Sequence, residues 1–221
     1  MKKIAILTSR ESWFKKYIPG MVSLIDNNFF VIDVYEEHEE IRGEYFCLFI
    51  LSYFKIIPTS FLELNKYNLV VHESYLPRGR GWAPLFYQIL DQVNEVPMVL
   101  FEAKENLDSG DIFFKKNLIL NGTELNEEIR EKQAQATIEL CLTFLKNYPT
   151  LVPEKQKGTP TYYKKRTKKD SELDINKTIK EQFNLLRIVN NDEYPAYFYF
   201  KDKKFIIKIL STDEIEGIAH E

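Results

Sequence analysis

The stretch "YNLVVHESYLPRGRGWAP", residues 67–84, decides how the rest of the chain is read. Its opening run, "YNLVVH", is short and apolar, as expected of a strand buried in a parallel sheet. The residues after it can form neither helix nor regular strand. Pro77 and Pro84 fix the backbone and remove amide donors, and Gly79 and Gly81 break the remainder. His72 therefore stands at the end of a buried strand, ahead of a stiff loop carrying Arg78 and Arg80. A polar group at a strand end, held by a rigid loop, is a common address for chemistry in α/β folds.

Outward from this stretch, strand and helix patterns alternate. "KIAILT" (3–8), "FFVIDVY" (29–35) and "YFCLFILS" (45–52) read as earlier strands, with a helix over 15–26 complicated by Pro19 and Gly20. "PTSFLELN" reads as a short helix capped by Thr59 or Ser60. Downstream, "APLFYQILDQVN" is helical, "VPMVLFEA" is a fifth strand, and "LDSGDIFFKKNLIL" is a turn and another extended run. A long helix comes next in "NGTELNEEIREKQAQATIELCLTFLKNY", entered through a Thr-x-x-Asn turn and closed before Pro149. This alternation predicts an α/β domain over residues 1–150, a Rossmann-like, mostly parallel sheet covered on both faces. Residues 151–221 read as a C-terminal extension: a polar, basic linker, the short helix "NKTIKEQFNLLRIVN", and the β-hairpin "AYFYFKDKKFIIKIL" turning at Asp202 to Lys204.

Composition narrows the function classes. Of 221 residues, 44% are hydrophobic, enough for a substantial core, and the net charge of −3 argues against general affinity for nucleic acid or anionic membrane. Cys47 and Cys141 lie in apolar surroundings and read as buried reduced thiols, and no Cys/His spacing resembles a zinc site. "IAILTS" is too short for a signal segment and "YFCLFILSYF" too short for a membrane span, so a cytoplasmic protein is expected. "EEHEE" reads as solvated, with His38 at the surface.

Asp108, in "ENLDSGDI", sits in a comparable punctuated loop, where Gly110 permits a sharp turn. Both loops come after strands of the predicted parallel sheet, so both are expected at its carboxyl edge. A histidine and a carboxylate on neighbouring strand ends form a natural acid–base pair. Two unrelated loop residues are the alternative.

"HESYLPRGRGWAP" followed by "LDSGDI" resembles the signature of the N10-formyltetrahydrofolate-dependent formyltransferases, the group containing methionyl-tRNA and glycinamide ribonucleotide formyltransferases. Their pattern is Asn-x-His-x-Ser-x-Leu-Pro, then Arg-Gly, and later Asp-x-Gly. His72, Ser74, Leu76, Pro77, Arg80, Gly81, Pro84, Asp108 and Gly110 fall on it in order. "YFKIIPTSFLEL" resembles the segment that lines the family's pterin pocket. "GTPTYYKKRTKKDSELDINKT" and "LRIVNNDEYPAYFYF" resemble the tail of bacterial enzymes that formylate nucleotide-linked amino sugars, including a pseudaminic-acid-type branch. Two positions depart: the family Asn is Val70 here, and Trp82 stands where relatives often carry Arg. Asn68 shares strand parity with His72 but lies too far back to replace that Asn. Either another donor serves the oxyanion, or activity has lapsed.

The resemblance implies the formyltransferase fold and transfer of a formyl group from N10-formyltetrahydrofolate to an amine, with no metal. The acceptor it points to is a nucleotide-linked amino sugar, by analogy a 4-amino-4,6-dideoxy sugar on UDP, for surface glycan synthesis. It assigns catalysis to His72 and Asp108. The folate falls to Phe54, Lys55, Ile56, Trp82, Lys104, Glu105, Asn106 and Leu107. Arg78 and Arg80 fall to the substrate side. Arg10 and Trp13, in the loop after the first strand, suit a phosphate and a base or sugar face; a solvated arginine and a core tryptophan are the alternative. Tyr162 and Arg166, in "TYYKKRTKK", are placed against the nucleotide, with a solvated lysine run as the alternative. A tail shorter than that of tRNA-formylating relatives, together with the acidic charge, argues against tRNA. An amino acid or carrier-bound amine as acceptor, or a lapsed folate or nucleotide-sugar binder, stay open, as does a homodimer through the aromatic hairpin.

Overall fold

The computed structural model describes residues 1–212. Its centre is a six-stranded sheet built from β1 (Lys2–Leu7), β2 (Phe30–Tyr35), β3 (Cys47–Ile50), β4 (Asn68–His72), β6 (Glu95–Glu102) and β7 (Ile112–Ile119), in the order β2-β1-β3-β4-β6-β7. The first four are mutually parallel. The short strand β5 (Arg80–Gly81) lies outside this sheet.

β6 differs from the sequence expectation in direction. It pairs antiparallel with β4, His72 opposite Val99 and Leu69 opposite Glu102. The connection from β4, through α3 (Pro84–Leu90), re-enters the sheet from the edge it has just left, with Glu95 opening β6 beyond the His72–Val99 pair. β7 then pairs antiparallel with β6, so the sheet stays mostly parallel overall.

One face of the sheet carries Ile4, Ile6, Cys47, Phe49, Leu69, Met98 and Leu100, which pack with α1 (Ile18–Leu24), α3 and the long α4 (Asn126–Asn147). Strand alternation sends Leu7, Leu48 and Ile50 to the other face, under α2 (Thr59–Leu62). On that same side Val70, Leu76, Val99, Phe101 and Ile112 form a smaller cluster beside His72. Cys47 and Cys141 are both buried and free.

Local differences have local causes. A 3-10 turn over Trp13–Tyr17 precedes α1 because Pro19 fits the first helical turn, where its missing N–H costs nothing. α2 begins after Pro58 and has no side-chain cap from Thr59 or Ser60. At α4, Glu128 accepts the Leu125 N–H at 2.9 Å, and the helix ends at Asn147, before Pro149. His38 is buried rather than exposed: its ring takes a 2.8 Å hydrogen bond with the Tyr53 hydroxyl and packs edge-on to Phe61.

Beyond α4 the chain crosses back over the domain. Glu154 bridges Ile112 in both directions at 2.8 Å, and β8 (Tyr162–Tyr163) pairs in parallel with β5. α5 (Ile179–Ile188) and the hairpin β9 (Ala196–Phe200) and β10 (Lys203–Ile207) then form a small module around Leu173, Leu186, Val189 and Ala196. Arg187 fastens it to the domain. This fully buried guanidinium donates to Glu124 Oε2 and O at 3.1 Å, to Asn94 at 3.1 Å and to Asn184 at 3.0 Å. The hairpin turns at Lys201 and Asp202, both at positive φ, one residue earlier than expected, and Lys203 and Lys204 already pair in β10.

Candidate functional site

β4 delivers His72 to the sheet's carboxyl edge, where it is 5% exposed. Its Nε2 lies 2.7 Å from the carbonyl oxygen of Gly79. A carbonyl only accepts, so Nε2 carries a proton, and in the neutral ring Nδ1 holds the lone pair. The loop therefore sets the tautomer of the neutral ring. Phe101 backs the ring edge-on, with centroids 6.3 Å apart.

Nδ1 faces the Oδ2 of Asp108 across 3.9 Å, too long for a hydrogen bond and close enough for strong coupling if the ring is protonated. Asp108 comes from an unexpected direction. Because β6 is antiparallel, its carboxyl end lies beside Leu69, not beside His72. The connection 103–111 folds back along β4 to bring the carboxylate to the histidine. That fold-back crosses close over the end of β6: a Cβ on Gly110 would sit 1.6 Å from the carbonyl oxygen of Glu102. Oδ2 of Asp108 also accepts the N–H of Gly81 at 2.8 Å. Gly81 is at φ 99°, and a Cβ there would meet the carbonyl oxygen of Tyr163 at 2.6 Å.

The tail completes the arrangement. Thr161 accepts the Gly79 N–H on its hydroxyl at 2.8 Å, and its carbonyl accepts from Arg80 N at 2.9 Å. Gln156 donates from Nε2 to the carbonyl oxygens of Asp108 and Gly110, both at 2.8 Å, and accepts from Arg80 Nη2 at 2.7 Å. Sequence reasoning missed Gln156 and Thr161, because a glutamine and a threonine in a polar linker carry no pattern of their own. Tyr163 stacks on Tyr87 at 4.4 Å with rings 5° apart, and burial raises its phenol pKa.

The remaining predicted residues divide into two groups. Phe54 and Trp82, 6.2 Å apart, form an exposed aromatic rim, with the Lys165 ammonium 4.6 Å above Trp82. Ile56 and Leu107 are both exposed and offer apolar surface. Lys55 pairs with Glu37, Lys104 with Asp111 at 3.2 Å, and Glu105 and Asn106 are exposed in the same connection. Tyr162 reaches Arg80 at 3.5 Å, and Arg78 is exposed on the loop. Phe54 and Trp82, adjacent and exposed, and the exposed Ile56 and Leu107 are of the chemistry that would flank a flat pteridine and its aryl tail.

Arg10, Trp13 and Arg166 are engaged elsewhere. Arg10 is exposed and pairs with Glu36 at 2.9 Å, at the far side of the sheet from β4. Trp13 packs in the core against Arg130, whose guanidinium lies 4.4 Å from its ring and 4.3 Å from that of Phe86. Burial between those rings lowers the Arg130 pKa to about 10. Arg166 donates to the carbonyl of Asp170 at 2.6 Å within its own loop.

Two further positions bear on the chemistry. Val70 packs into the apolar cluster beneath His72, with Phe101 and Ile112. Asn68 is 4% exposed and committed: its amide donates to Leu62 O at 2.8 Å and accepts from Asn65 at 3.0 Å. Glu102 accepts from Asn68 N at 2.8 Å, and burial outweighs that bond and raises its pKa to about 7. Among the described residues no group of His, Cys, Asp and Glu could hold a metal ion, and no helix is long and apolar enough to cross a membrane.

This architecture has known counterparts. The formyl transferase family model matches residues 25–145. Among curated proteins, the methionyl-tRNA formyltransferase of Francisella philomiragia subsp. philomiragia is 31% identical over 149 residues, 67% of this chain and 47% of its own length. The chain thus spans about half the length of the curated relatives it matches. Among solved structures, methionyl-tRNA formyltransferase from Clostridium thermocellum superposes with a TM-score of 0.81 at 21% identity, covering 96% of this chain and 93% of that one. A sugar N-formyltransferase from Shewanella sp. FDAARGOS_354 gives 0.71 at 16% identity, covering 95% and 97%. HypX from Aquifex aeolicus in complex with tetrahydrofolic acid gives 0.76 at 15%, covering 94% and 37%. At these identities the solved structures speak to the fold alone.

Proposed function

Because the chain belongs to the formyl transferase family, we propose that it moves a formyl group from N10-formyltetrahydrofolate to the amine of a nucleotide-linked amino sugar. The observation that carries this reading is the buried pair itself: His72 Nδ1 faces Asp108 Oδ2 across 3.9 Å between the two loops that hold the family motif. The folate substrate supplies an activated formyl carbon on a nitrogen leaving group. His72 Nδ1 takes or returns the proton exchanged between the attacking amine and that leaving nitrogen. Asp108 stabilises the protonated ring and keeps the Gly81 loop closed around it. With Val70 in place of an amide, the developing negative oxygen is stabilised by protonated His72 and by backbone N–H groups.

In this proposal Phe54, Ile56, Trp82 and Leu107 flank the folate, with Lys55, Lys104, Glu105 and Asn106 framing it through their backbone. Arg78, Arg80 and Tyr162 face the acceptor. Arg10, Trp13 and Arg166 are left out, since each is engaged elsewhere. Residues 1–150 carry the transfer chemistry, and residues 151–221 contribute on the acceptor side.

A nucleotide sugar as acceptor is supported by the tail motifs, by the net charge of −3, which disfavours a polyanion, and by a fold neighbour described as a sugar N-formyltransferase. A second reading, formylation of methionyl-tRNA, is favoured by the curated sequence relatives. Incubation with N10-formyltetrahydrofolate and a panel of UDP- and dTDP-linked 4-amino-4,6-dideoxy sugars, read as a mass gain of one formyl group, tests the first. Charged initiator methionyl-tRNA in parallel tests the second. Transfer to tRNA alone would overturn the sugar assignment, and transfer to neither would overturn the proposal.

A further inference from the structure

The tail crosses the reacting pair at Gln156. A carboxamide has two N–H donors on one nitrogen and a carbonyl acceptor. Here both functions are used, on two different loops. Nε2 braces the carbonyls of Asp108 and Gly110, both at 2.8 Å, and Oε1 holds Arg80 at 2.7 Å. Asp108 needs such bracing. It sits at φ 49°, in the left-handed region that residues with a Cβ occupy only when the surroundings hold them there. Its side chain must at the same time reach Gly81 N at 2.8 Å and face His72. The contacts close a ring: the Asp108 carboxylate holds the amide next to Arg80, the Arg80 guanidinium holds Gln156, and Gln156 holds the Asp108 backbone.

We propose that Gln156 is a positioning residue for the His72–Asp108 pair, locking the Asp108 connection to the Arg80 loop so that one carboxylate oxygen serves Gly81 and His72 together. The name given to the pair's reaction rests on the function proposed above; the positioning does not. Glutamate has the same length but no donors, and methionine has the same volume but no polar function. Asparagine is one methylene too short to span both loops.

The test monitors the Gly81 amide by hydrogen exchange, with formyl-transfer kinetics alongside. Gln156→Met should raise Gly81 exchange about tenfold or more, toward the rate in Asp108→Ala, while amides of β1 and β3 keep theirs. It should lower kcat about 10- to 100-fold and leave the KM for the folate within about threefold. Gln156→Glu keeps the Arg80 partner and should behave the same, because the donors are what matter; it also serves if the methionine variant fails to fold. Wild-type protection of Gly81 in a folded variant would overturn the proposal. So would exchange rising equally across the sheet, since that marks a merely structural role. If the wild-type protein transfers formyl to no acceptor, the functional reading fails, and the Gly81 measurement still decides the role of Gln156.

Discussion

The Asp108 carboxylate accepts the Gly81 amide at 2.8 Å with the same oxygen that faces His72 Nδ1. One group therefore both closes the loop and faces the histidine, and the two residues should fail together. His72→Asn should lower kcat about 10²–10⁴-fold, the scale for a lost acid–base group or oxyanion donor. Asp108→Asn should fall in the same range, and the double variant should fall little further. Melting temperature measured in parallel separates this from unfolding. A folded His72→Asn protein with near wild-type turnover would remove His72 from the chemistry.

Val70→Asn restores the family residue in a site that has been repacked. Val70 belongs to an apolar cluster with Leu76, Val99, Phe101 and Ile112. An amide placed there without partners costs about 1–3 kcal/mol. The expected outcome is a lower urea midpoint and no gain in turnover. A severalfold gain in kcat would show instead that the site lacks the oxyanion donor its relatives have.

Arg187→Met should destabilise the protein by about 3 kcal/mol, because it removes the buried charge partner of Glu124 and leaves Asn94 and Asn184 without the guanidinium they accept from. Adding Glu124→Gln should recover part of the loss. Equilibrium denaturation of the two variants checks both statements, and a double variant no more stable than the single would place the energy outside the pair.

Two carboxyl groups should give stability opposite dependences on pH. Burial raises Glu102 from the ordinary 4.5 to about 7, so the folded state holds a proton that the unfolded state releases. Its contribution is fully present below about pH 4.5 and is lost as the pH rises through about 7. Glu124 is opposite. Burial alone would raise it, but Lys132 and the amides of Asn121 and Gly122 overcome this and lower it to about 2. Its contribution is present above about pH 4.5 and is lost as the pH falls through about 2. Urea midpoints from pH 3 to 8 should therefore drop at both ends, and Glu102→Gln should flatten the alkaline side alone.

Gly110→Ala should be far more damaging than an ordinary loop substitution. The new methyl would overlap the Glu102 backbone carbonyl at 1.6 Å, with no flexible side chain to give way, so the 103–111 connection could not fold back. The variant should lose Gly81 protection and turnover together. Retention of both would mean that Asp108 reaches His72 by another path.

The sequence by itself determined the α/β alternation, the strand that ends at His72, the rigid loop behind it, the long helix and the hairpin. It also picked out His72 and Asp108. These are local properties: hydrophobic period, proline and glycine chemistry, and one motif carried in short contiguous segments. It did not determine the direction of β6, because a strand's own residues do not encode which way its neighbour runs. Nor did it show that Asp108 arrives by folding back over Glu102, that the Gly79 carbonyl fixes the histidine tautomer, or that His38 is buried on Tyr53. Gln156 is the clearest case. Its partners lie 46, 48 and 76 residues away in sequence, so nothing in its own neighbourhood marks it. Only the tertiary structure brings its single carboxamide within reach of both loops, because hydrogen bonds act over ångströms in space and are indifferent to distance along the chain.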